Sequence, residues 1–231
     1  MRADGLLFDK DGTLFDFATS WNAWAGDMIS GLSEGDGALA LRLAEALEDD
    51  LARDAFHPHS FVIAGTNRGA AEAIASVLPD RPVQELEVYL MEAAATATLA
   101  EAVPLSPFLG ELKAQGLKLG VMTNDTEYAA RAQLRASGVE EEFHFIAGFD
   151  SGFGAKPAPD PLLAFARHMQ LASDRVVMVG DSTHDLIAGR AAGMQTVAVL
   201  TGMAGQDELA PYADVVFPDI GHIPAWLFTV P

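Results

Sequence analysis

Polar and charged side chains follow short apolar runs at four separate points of this chain. The first group is Asp9-Lys10-Asp11-Gly12-Thr13, and the second is Thr123-Asn124-Asp125. The third is Lys156-Pro157, and the fourth begins at Gly180-Asp181 and includes Asp185. Apolar runs without polar alternation are typical of parallel strands buried on both faces. Because such strands end at one edge of an α/β sheet, we expect the four groups to form a single site there.

Three or four carboxylates would converge at that edge. Asp9 and Asp11 are two positions apart and can face one pocket, whereas Asp181 and Asp185 share a face across one helical turn. Gly12 permits a tight turn directly afterwards. Two carboxylates 4 Å apart repel by roughly 4 kcal/mol at an effective dielectric constant of about 20, so the cluster needs a cation. Oxygen ligands alone select a hard cation, and we predict Mg²⁺.

The donors beside these carboxylates indicate a phosphoryl group as the reacting species. Lys156 adds positive charge, while Thr123 and Asn124 add a hydroxyl and an amide. Together with a cation, they would neutralise the charge of a phosphoryl group during its transfer. One carboxylate can act as the nucleophile and form an aspartyl-phosphate, and its neighbour can protonate the leaving oxygen and later deprotonate water.

In their order and spacing these motifs resemble those of the haloacid dehalogenase superfamily of phosphohydrolases, in its phosphoglycolate phosphatase-like branch. The resemblance rests on Asp9-Lys10-Asp11-Gly12-Thr13-Leu14, Thr123-Asn124, Lys156-Pro157 and Gly180-Asp181 with Asp185, which frame nearly the whole chain. It implies a Mg²⁺-dependent phosphatase whose substrate is a small phosphorylated metabolite, with phosphoglycolate as the first candidate.

The resemblance also implies catalytic and metal-binding roles. Asp9 would be the nucleophile and a Mg²⁺ ligand, and Asp11 the general acid/base, with its backbone carbonyl on the metal. Asp181 would bind Mg²⁺ directly, and Asp185 would support the metal through water. Lys10 stands where relatives carry an apolar residue, and we expect its side chain to point away from Asp9 and Asp11.

Substrate binding is expected from the remaining motif residues. The resemblance implies that Thr123 and the Asn124 amide bind the phosphoryl oxygens, that Gly12 belongs to the same binding site, and that Lys156 holds the nucleophile and the phosphoryl group together. Arg68 could meet a second anionic group of the substrate. A salt-bridged surface arginine is an equal alternative.

The elements that position these motifs follow from the apolar pattern. Strands are predicted over residues 6–8, 117–122, 143–147, 176–179, 196–200 and 215–217, and helices over 106–115, 126–137, 160–169 and 183–192. Strands alternating with helices predict an α/β fold, with a doubly wound, parallel, Rossmann-like sheet.

Residues 16–105, called the insert below, lack a convincing strand pattern. They contain amphipathic or alanine-rich segments near 21–32, 38–56, 67–77 and 83–102. We therefore predict a core domain of residues 1–15 and 106–231, with an α-helical cap domain of residues 16–105 after the first strand. Trp21 and Trp24, one helical turn apart, are expected in the core of this cap rather than in a substrate wall, and His184 is expected to be a bystander.

Composition excludes several classes of function. The 231 residues are 50% hydrophobic and carry a net charge of −19, of which −11 lies in the lysine-free insert. A disordered acidic tail would be poorer in apolar residues, and binding to nucleic acid or to an anionic membrane would need clustered bases. The absence of cysteine excludes disulfides and thiol catalysis and fits a reducing cytoplasm. Without a signal-peptide pattern at residues 1–10, we expect a cytoplasmic monomer or homodimer.

Two other functions remain open at this point. A phosphomutase would use the same residues but return the phosphoryl group to a sugar. A non-catalytic metabolite-binding or regulatory protein is the second alternative, although the intact set of Asp9, Asp11, Lys156 and Asp181 argues against it.

Overall fold

A six-stranded parallel sheet forms the centre of the molecule, whose computed structural model describes residues 1–53, 55–57, 60–63 and 65–228. Its strands stand in the order β5-β4-β1-β6-β7-β8. The predicted α/β class with a parallel sheet is thus confirmed, and the strand ends differ from the predicted ones by at most two residues. The strands are β1 (Gly5–Phe8), β2 (Asp49–Asp50), β3 (Ala55–Phe56), β4 (Lys118–Met122), β5 (Phe145–Ala147), β6 (Val176–Gly180), β7 (Gln195–Val199) and β8 (Val215–Phe217).

Helices cover both faces of the sheet, as the unbroken apolar pattern of its strands requires. The helices are α1 (Phe17–Ser33), α2 (Gly37–Leu47), α3 (Asn67–Val77), α4 (Val83–Ala95), α5 (Leu105–Ala114), α6 (Glu127–Ala136), α7 (Asp160–Met169), α8 (Thr183–Ala191), α9 (Gln206–Leu209) and α10 (Ile223–Phe228). Side chains of α5, α6 and α10 pack on one face, and those of α7 and α8 on the other. None of the helices in the described part of the chain has the length and apolar character needed to span a membrane.

The central strand β1 places the first motif in the middle of the sheet. It pairs in parallel with β4 on one side and β6 on the other. All four of its residues are buried. Because β4 and β6 flank it, the residues after Phe8, Met122 and Gly180 emerge at the same edge.

The insert consists mainly of α1 to α4, which bury a hydrophobic cluster of their own, including Leu43, Ile74 and Leu86. The prediction of one helix over 38–56 was wrong, because α2 ends at Leu47 and Glu48 adopts a left-handed conformation with φ 53°. The chain then forms the antiparallel pair β2–β3, whose strands are too short to produce an alternating pattern in the sequence. The last predicted helix also ends early, at Ala95. The exact division into core and cap domains stays a proposal.

Close packing between the sheet and α7 yields a stability prediction. A Cβ atom on Gly120 would lie 2.7 Å from the ring of Phe165, which is fully buried. We expect Gly120→Ala to lower the free energy of unfolding by about 1–3 kcal/mol through overpacking, measured by urea denaturation. Gly110→Ala is the control, because a Cβ there meets no atom within 4 Å and alanine favours α5. Equal stability of the two variants would contradict this account.

Candidate active site

The four polar groups predicted to converge do come together at one edge of the sheet. Asp9 follows β1, Thr123 and Asn124 follow β4, and Asp181 follows β6. Lys156 lies in the loop after β5, and its side chain reaches the same place. Parallel strands emerge in one direction, so residues far apart in sequence meet here.

The Lys156 ammonium group lies between two carboxylates. Its Nζ donates to Asp9 Oδ1 and to Asp185 Oδ1, both at 2.6 Å. The second oxygen of Asp185 accepts hydrogen bonds from the backbone N–H of Ser182 at 3.1 Å and from its hydroxyl at 2.7 Å. Both oxygens of Asp185 are therefore engaged, and this side chain also caps the N-terminus of α8.

Asn124 fixes the loop that carries Lys156. Its Nδ2 donates to the Lys156 carbonyl at 3.0 Å, and its Oδ1 accepts from the Lys156 N–H at 2.9 Å. The Thr123 hydroxyl accepts from the Asp125 N–H at 3.1 Å. In this structure the Asn124 side chain holds Lys156 in place, while the contacts of Thr123 and Asn124 with a phosphoryl group stay predictions.

Three buried carboxylates form a group that could hold a metal ion. Asp9, Asp181 and Asp185 each offer one oxygen, and these atoms all lie within 4.8 Å of one another. The single ammonium of Lys156 cannot neutralise three negative charges. A bound cation would supply the missing charge, and the all-oxygen donor set suits a hard one.

The pKa values of these acids reflect the same excess of negative charge. Burial raises the pKa of Asp9 to about 7, with added repulsion from Asp185 and Asp11 and an opposing effect of Lys156. Burial also raises the pKa of Asp181 well above its ordinary value, again with repulsion from Asp9 and Asp185. Without a cation, the site therefore retains protons that exposed aspartates would lose.

Two glycines allow the chain to approach Asp181 closely. Gly12 has a φ of +78°, and a Cβ there would lie 2.3 Å from Asp181 Oδ2. A Cβ on Gly202 would lie 1.8 Å from the same atom, and Thr13 Oγ1 donates to Asp181 Oδ1 at 3.2 Å. Gly12 thus packs closely against Asp181; it is not among the described residues that line the cavity below, and its expected role in substrate binding stays a prediction.

The expectation for Lys10 was wrong, because its fully buried side chain turns toward Asp11. Its Nζ donates to Asp11 Oδ1 at 2.8 Å, lies 3.5 Å from Asp125 Oδ2, and also donates to Gln133 Oε1. Burial alone would lower the pKa of Lys10, but the carboxylates of Asp11 and Asp125 outweigh it and raise that pKa. Lys10 is therefore a buried charge with carboxylate partners of its own.

Asp11 is also linked to the insert through Trp21. The indole Nε1 of Trp21 donates to Asp11 Oδ1 at 2.8 Å, and its ring packs edge-on against Trp24 with centroids 5.0 Å apart. Both tryptophans pack in hydrophobic clusters that contain residues of the insert, as expected, and both also line the cavity described below. Their spacing on α1 could not show this, because it depends on where the helix lies over the sheet.

A cavity of about 840 Å³, its open mouth included, lies between the sheet edge and the insert. Asp9, Lys156 and Asp181 are among the core residues that line it. Residues of the insert form the opposite wall, including Phe17, Trp21, Trp24, Phe56, Ile63 and Leu90. A ligand in this cavity would contact the acidic cluster at one end and apolar side chains at the other.

Arg68 lies outside this cavity. Its guanidinium group is paired with Glu72 at 3.0 Å and with Glu87 at 3.5 Å, and its side chain is 53% exposed. Of the two alternatives given for Arg68, these contacts match the salt-bridged surface arginine. The structure therefore gives no support to a substrate contact by Arg68.

Sequence reasoning missed several residues of the site. His184, expected to be a bystander, lines the cavity, as does Ser182. Gly202, which approaches Asp181 closely, was also missed. It follows β7, and its position after an apolar run was the one signal in the sequence that could have placed it at the site. The serine before α8 is a typical helix N-cap, so its contact with Asp185 could have been predicted from the capping rule.

Comparisons with known proteins agree with this geometry. A family model described as haloacid dehalogenase-like hydrolase matches residues 73–199. The chain is 30% identical to a phosphoglycolate phosphatase of Xanthomonas campestris pv. campestris over 226 residues, which cover 96% of each protein. A phosphoglycolate phosphatase of Rhodospirillum rubrum is 35% identical over 119 residues, or 52% of this chain and 49% of the relative, so that match spans about half the relative's length.

Solved structures share the fold. The crystal structure of CbbY from Rhodobacter sphaeroides, in complex with phosphate, superposes with a TM-score of 0.68 at 22% sequence identity, covering 94% of both chains. This similarity supports the fold, while the family model and the phosphoglycolate phosphatase relatives confirm the predicted resemblance and its branch.

The raised pKa of Asp9 predicts how stability depends on pH when no metal is present. Because the folded protein holds this proton up to about pH 7, whereas the unfolded chain releases it near its ordinary value of 3.8, raising the pH through this window should lower the free energy of unfolding. Denaturation in EDTA at several pH values measures the slope. Asp9→Asn should flatten it, and an unchanged slope in that variant would contradict the assignment.

The buried ion pairs of Lys10 predict a large stability effect. Lys10→Met leaves the half-buried carboxylates of Asp11 and Asp125 without their buried counter-charge, and we expect a loss of about 3 kcal/mol in the free energy of unfolding. The double variant Lys10→Met/Asp125→Asn should recover part of this loss, because one uncompensated charge is removed. Thermal or urea denaturation of the wild type and the two variants measures these stabilities. An unaltered stability of Lys10→Met would show that the ion pairs of Lys10 do not stabilise the fold.

Proposed function

Because the chain belongs to the haloacid dehalogenase-like hydrolase family, among its phosphoric monoester hydrolases, we propose that it hydrolyses a small phosphorylated metabolite through an aspartyl-phosphate on Asp9. The observation that supports this most directly is the contact of Lys156 Nζ with both Asp9 and Asp185 at 2.6 Å. These three residues line a cavity together with Asp11 and Asp181. Such a contact orients one Asp9 oxygen and leaves the other for reaction.

Mg²⁺ is the proposed cofactor. Asp9 and Asp181 would hold it directly, since both are buried and belong to the group whose oxygens lie within 4.8 Å of one another. Asp185 would support it through water, because both of its oxygens already accept hydrogen bonds from Lys156 and Ser182. When bound, Mg²⁺ would offset the negative charge of the phosphoryl group.

The steps themselves use residues of the chain. An Asp9 carboxylate oxygen attacks phosphorus, and the bond from phosphorus to the ester oxygen breaks as Asp11 donates a proton to that oxygen. Asp11 then takes a proton from a water molecule, which attacks the phosphorus of the aspartyl-phosphate. The bond to Asp9 breaks, and inorganic phosphate leaves. Lys156 keeps Asp9 oriented throughout and offsets the charge of the phosphoryl oxygens.

The relatives that carry the name phosphoglycolate phosphatase make phosphoglycolate the first substrate to test. The cavity beneath the insert suits a small ester better than a macromolecule, and the acidic chain offers no basic surface for nucleic acid or anionic membranes. A cytoplasmic location and a monomeric or homodimeric state stay predictions.

Substitution of the nucleophile tests the mechanism. With p-nitrophenyl phosphate and Mg²⁺, Asp9→Asn should lower kcat at least about a thousandfold, because an amide cannot form the acyl phosphate. Asp174→Asn is the matched control. Asp174 is exposed and lies before β6, at the opposite end of that strand from Asp181, so this variant should retain full activity. Undiminished turnover by Asp9→Asn would remove Asp9 from its role. Sugar phosphates converted to isomers without release of inorganic phosphate would instead identify a phosphomutase.

The general acid is tested through the leaving group. Asp11→Asn should lower kcat by about 10²–10⁴-fold with an alkyl phosphate, whose oxygen needs a proton as it leaves. With p-nitrophenyl phosphate, the rate of forming the aspartyl-phosphate should fall less, because nitrophenolate leaves without needing a proton. EDTA should abolish activity toward both esters, and added Mg²⁺ should restore it. Equal losses in single-turnover rates with the two esters would contradict the acid role.

A further inference from the structure

The wall of the cavity opposite the carboxylates restricts the leaving group of the substrate. We propose that this leaving group is an uncharged alcohol with an apolar body, so that the chain prefers neutral esters to the carboxylate-bearing phosphoglycolate. The inference rests on the proposed phosphatase activity and narrows its substrate class.

The insert presents mainly carbon atoms to the cavity. Aromatic rings come from α1 and β3, and aliphatic side chains come from the following loop and α4; they include Phe17, Trp24, Phe56, Ile63 and Leu90. Two polar residues of this wall have other partners: Thr66 Oγ1 accepts from the Gly69 N–H at 3.2 Å, and Asn67 Nδ2 donates to the Glu87 carbonyl at 2.9 Å. A leaving group that reaches this wall gains by burying apolar surface.

A second negative charge on the substrate would find no free lysine or arginine among the described residues that line the cavity. Lys156 is the one lysine or arginine among the described lining residues, and its ammonium already contacts two carboxylates. The four arginines of the insert lie outside the lining and contact other groups: Arg42 the Val77 carbonyl, Arg53 Asp50, Arg68 Glu72 and Arg81 Glu85.

The remaining charges of the lining are also unfavourable for an anion. Asp11 and Asp125 both line the cavity, and they share the single ammonium of Lys10, which leaves an excess of negative charge beside the cavity. A carboxylate on the leaving group would be desolvated against carbon and repelled by these acids. An amide, hydroxyl or ether at the same place would avoid the charge repulsion and carry a smaller desolvation cost.

One polar group in the wall is suited to a neutral acceptor. The indole Nε1 of Trp24 is buried and has no hydrogen-bond partner among the residues that the structure describes, and Trp24 lines the cavity. An unsatisfied buried donor is costly, so a substrate oxygen that accepts from it would be favoured. The expected leaving group therefore has an apolar body and an uncharged oxygen that can accept a hydrogen bond.

Two isosteric esters test the preference. We expect kcat/KM with Mg²⁺ to be at least about tenfold higher for 2-phosphoglycolamide than for 2-phosphoglycolate, which differ only in an amide replacing a carboxylate, and higher still for benzyl phosphate. An equal or higher value for 2-phosphoglycolate would overturn the inference while leaving the phosphatase proposal intact. Failure to hydrolyse any ester, p-nitrophenyl phosphate included, would overturn the proposed function and this inference with it.

A charge placed in the wall provides the converse test. Ile63 is half-buried and lines the cavity, so Ile63→Lys would add the missing cation, and Ile63→Gln is the matched uncharged control. We expect the lysine variant to shift the ratio of kcat/KM values toward 2-phosphoglycolate at least about tenfold relative to the glutamine variant. The same ratio in both variants would overturn the inference, and circular dichroism would verify that both are folded.

Discussion

Repulsion among buried carboxylates at the end of the sheet is the constraint on which the site depends. Asp9, Asp181 and Asp185 lie close enough to share an ion, and at an effective dielectric constant of about 20 each close pair would repel by roughly 4 kcal/mol. Lys156 and the cap of α8 hold two of these side chains in place. Because one ammonium is not enough, burial and repulsion raise the pKa of Asp9 to about 7. The cluster could therefore hold a cation, as proposed above.

A second buried lysine connects this site to the insert. Lys10 contacts Asp11 and Gln133, and Gln133 Nε2 donates to the Ala94 carbonyl of α4 at 2.8 Å. Trp21 reaches the same Asp11 carboxylate from α1. Two helices of the insert are therefore hydrogen-bonded to the residues around the proposed general acid, and its orientation depends on how the insert lies over the sheet.

The acidic character of the insert does not extend to the cavity wall. Its net charge of −11 reflects the excess of acidic residues over four arginines, and acids such as Glu34, Asp36 and Glu45 are exposed. Charges of this kind act weakly over distance, because salt screens them within about 8–10 Å. The electrostatic selection of a phosphoryl group is thus confined to the sheet edge, and the wall contributes shape and apolar contact.

The sequence by itself determined the alternation of strands and helices and the four polar groups that meet at one sheet edge. These features depend on local spacing, as with Asn67–Val77 and Asp160–Met169, whose bounds were predicted without error. The tertiary structure alone decided that Lys10 turns toward Asp11, that Trp21 donates to it, and that Arg68 stays outside the cavity. The last two outcomes depend on how the insert packs on the core, whereas the direction of Lys10 depends on Asp125 and Gln133, which lie far from it in the chain. Such long-range contacts leave no periodic pattern in a single sequence.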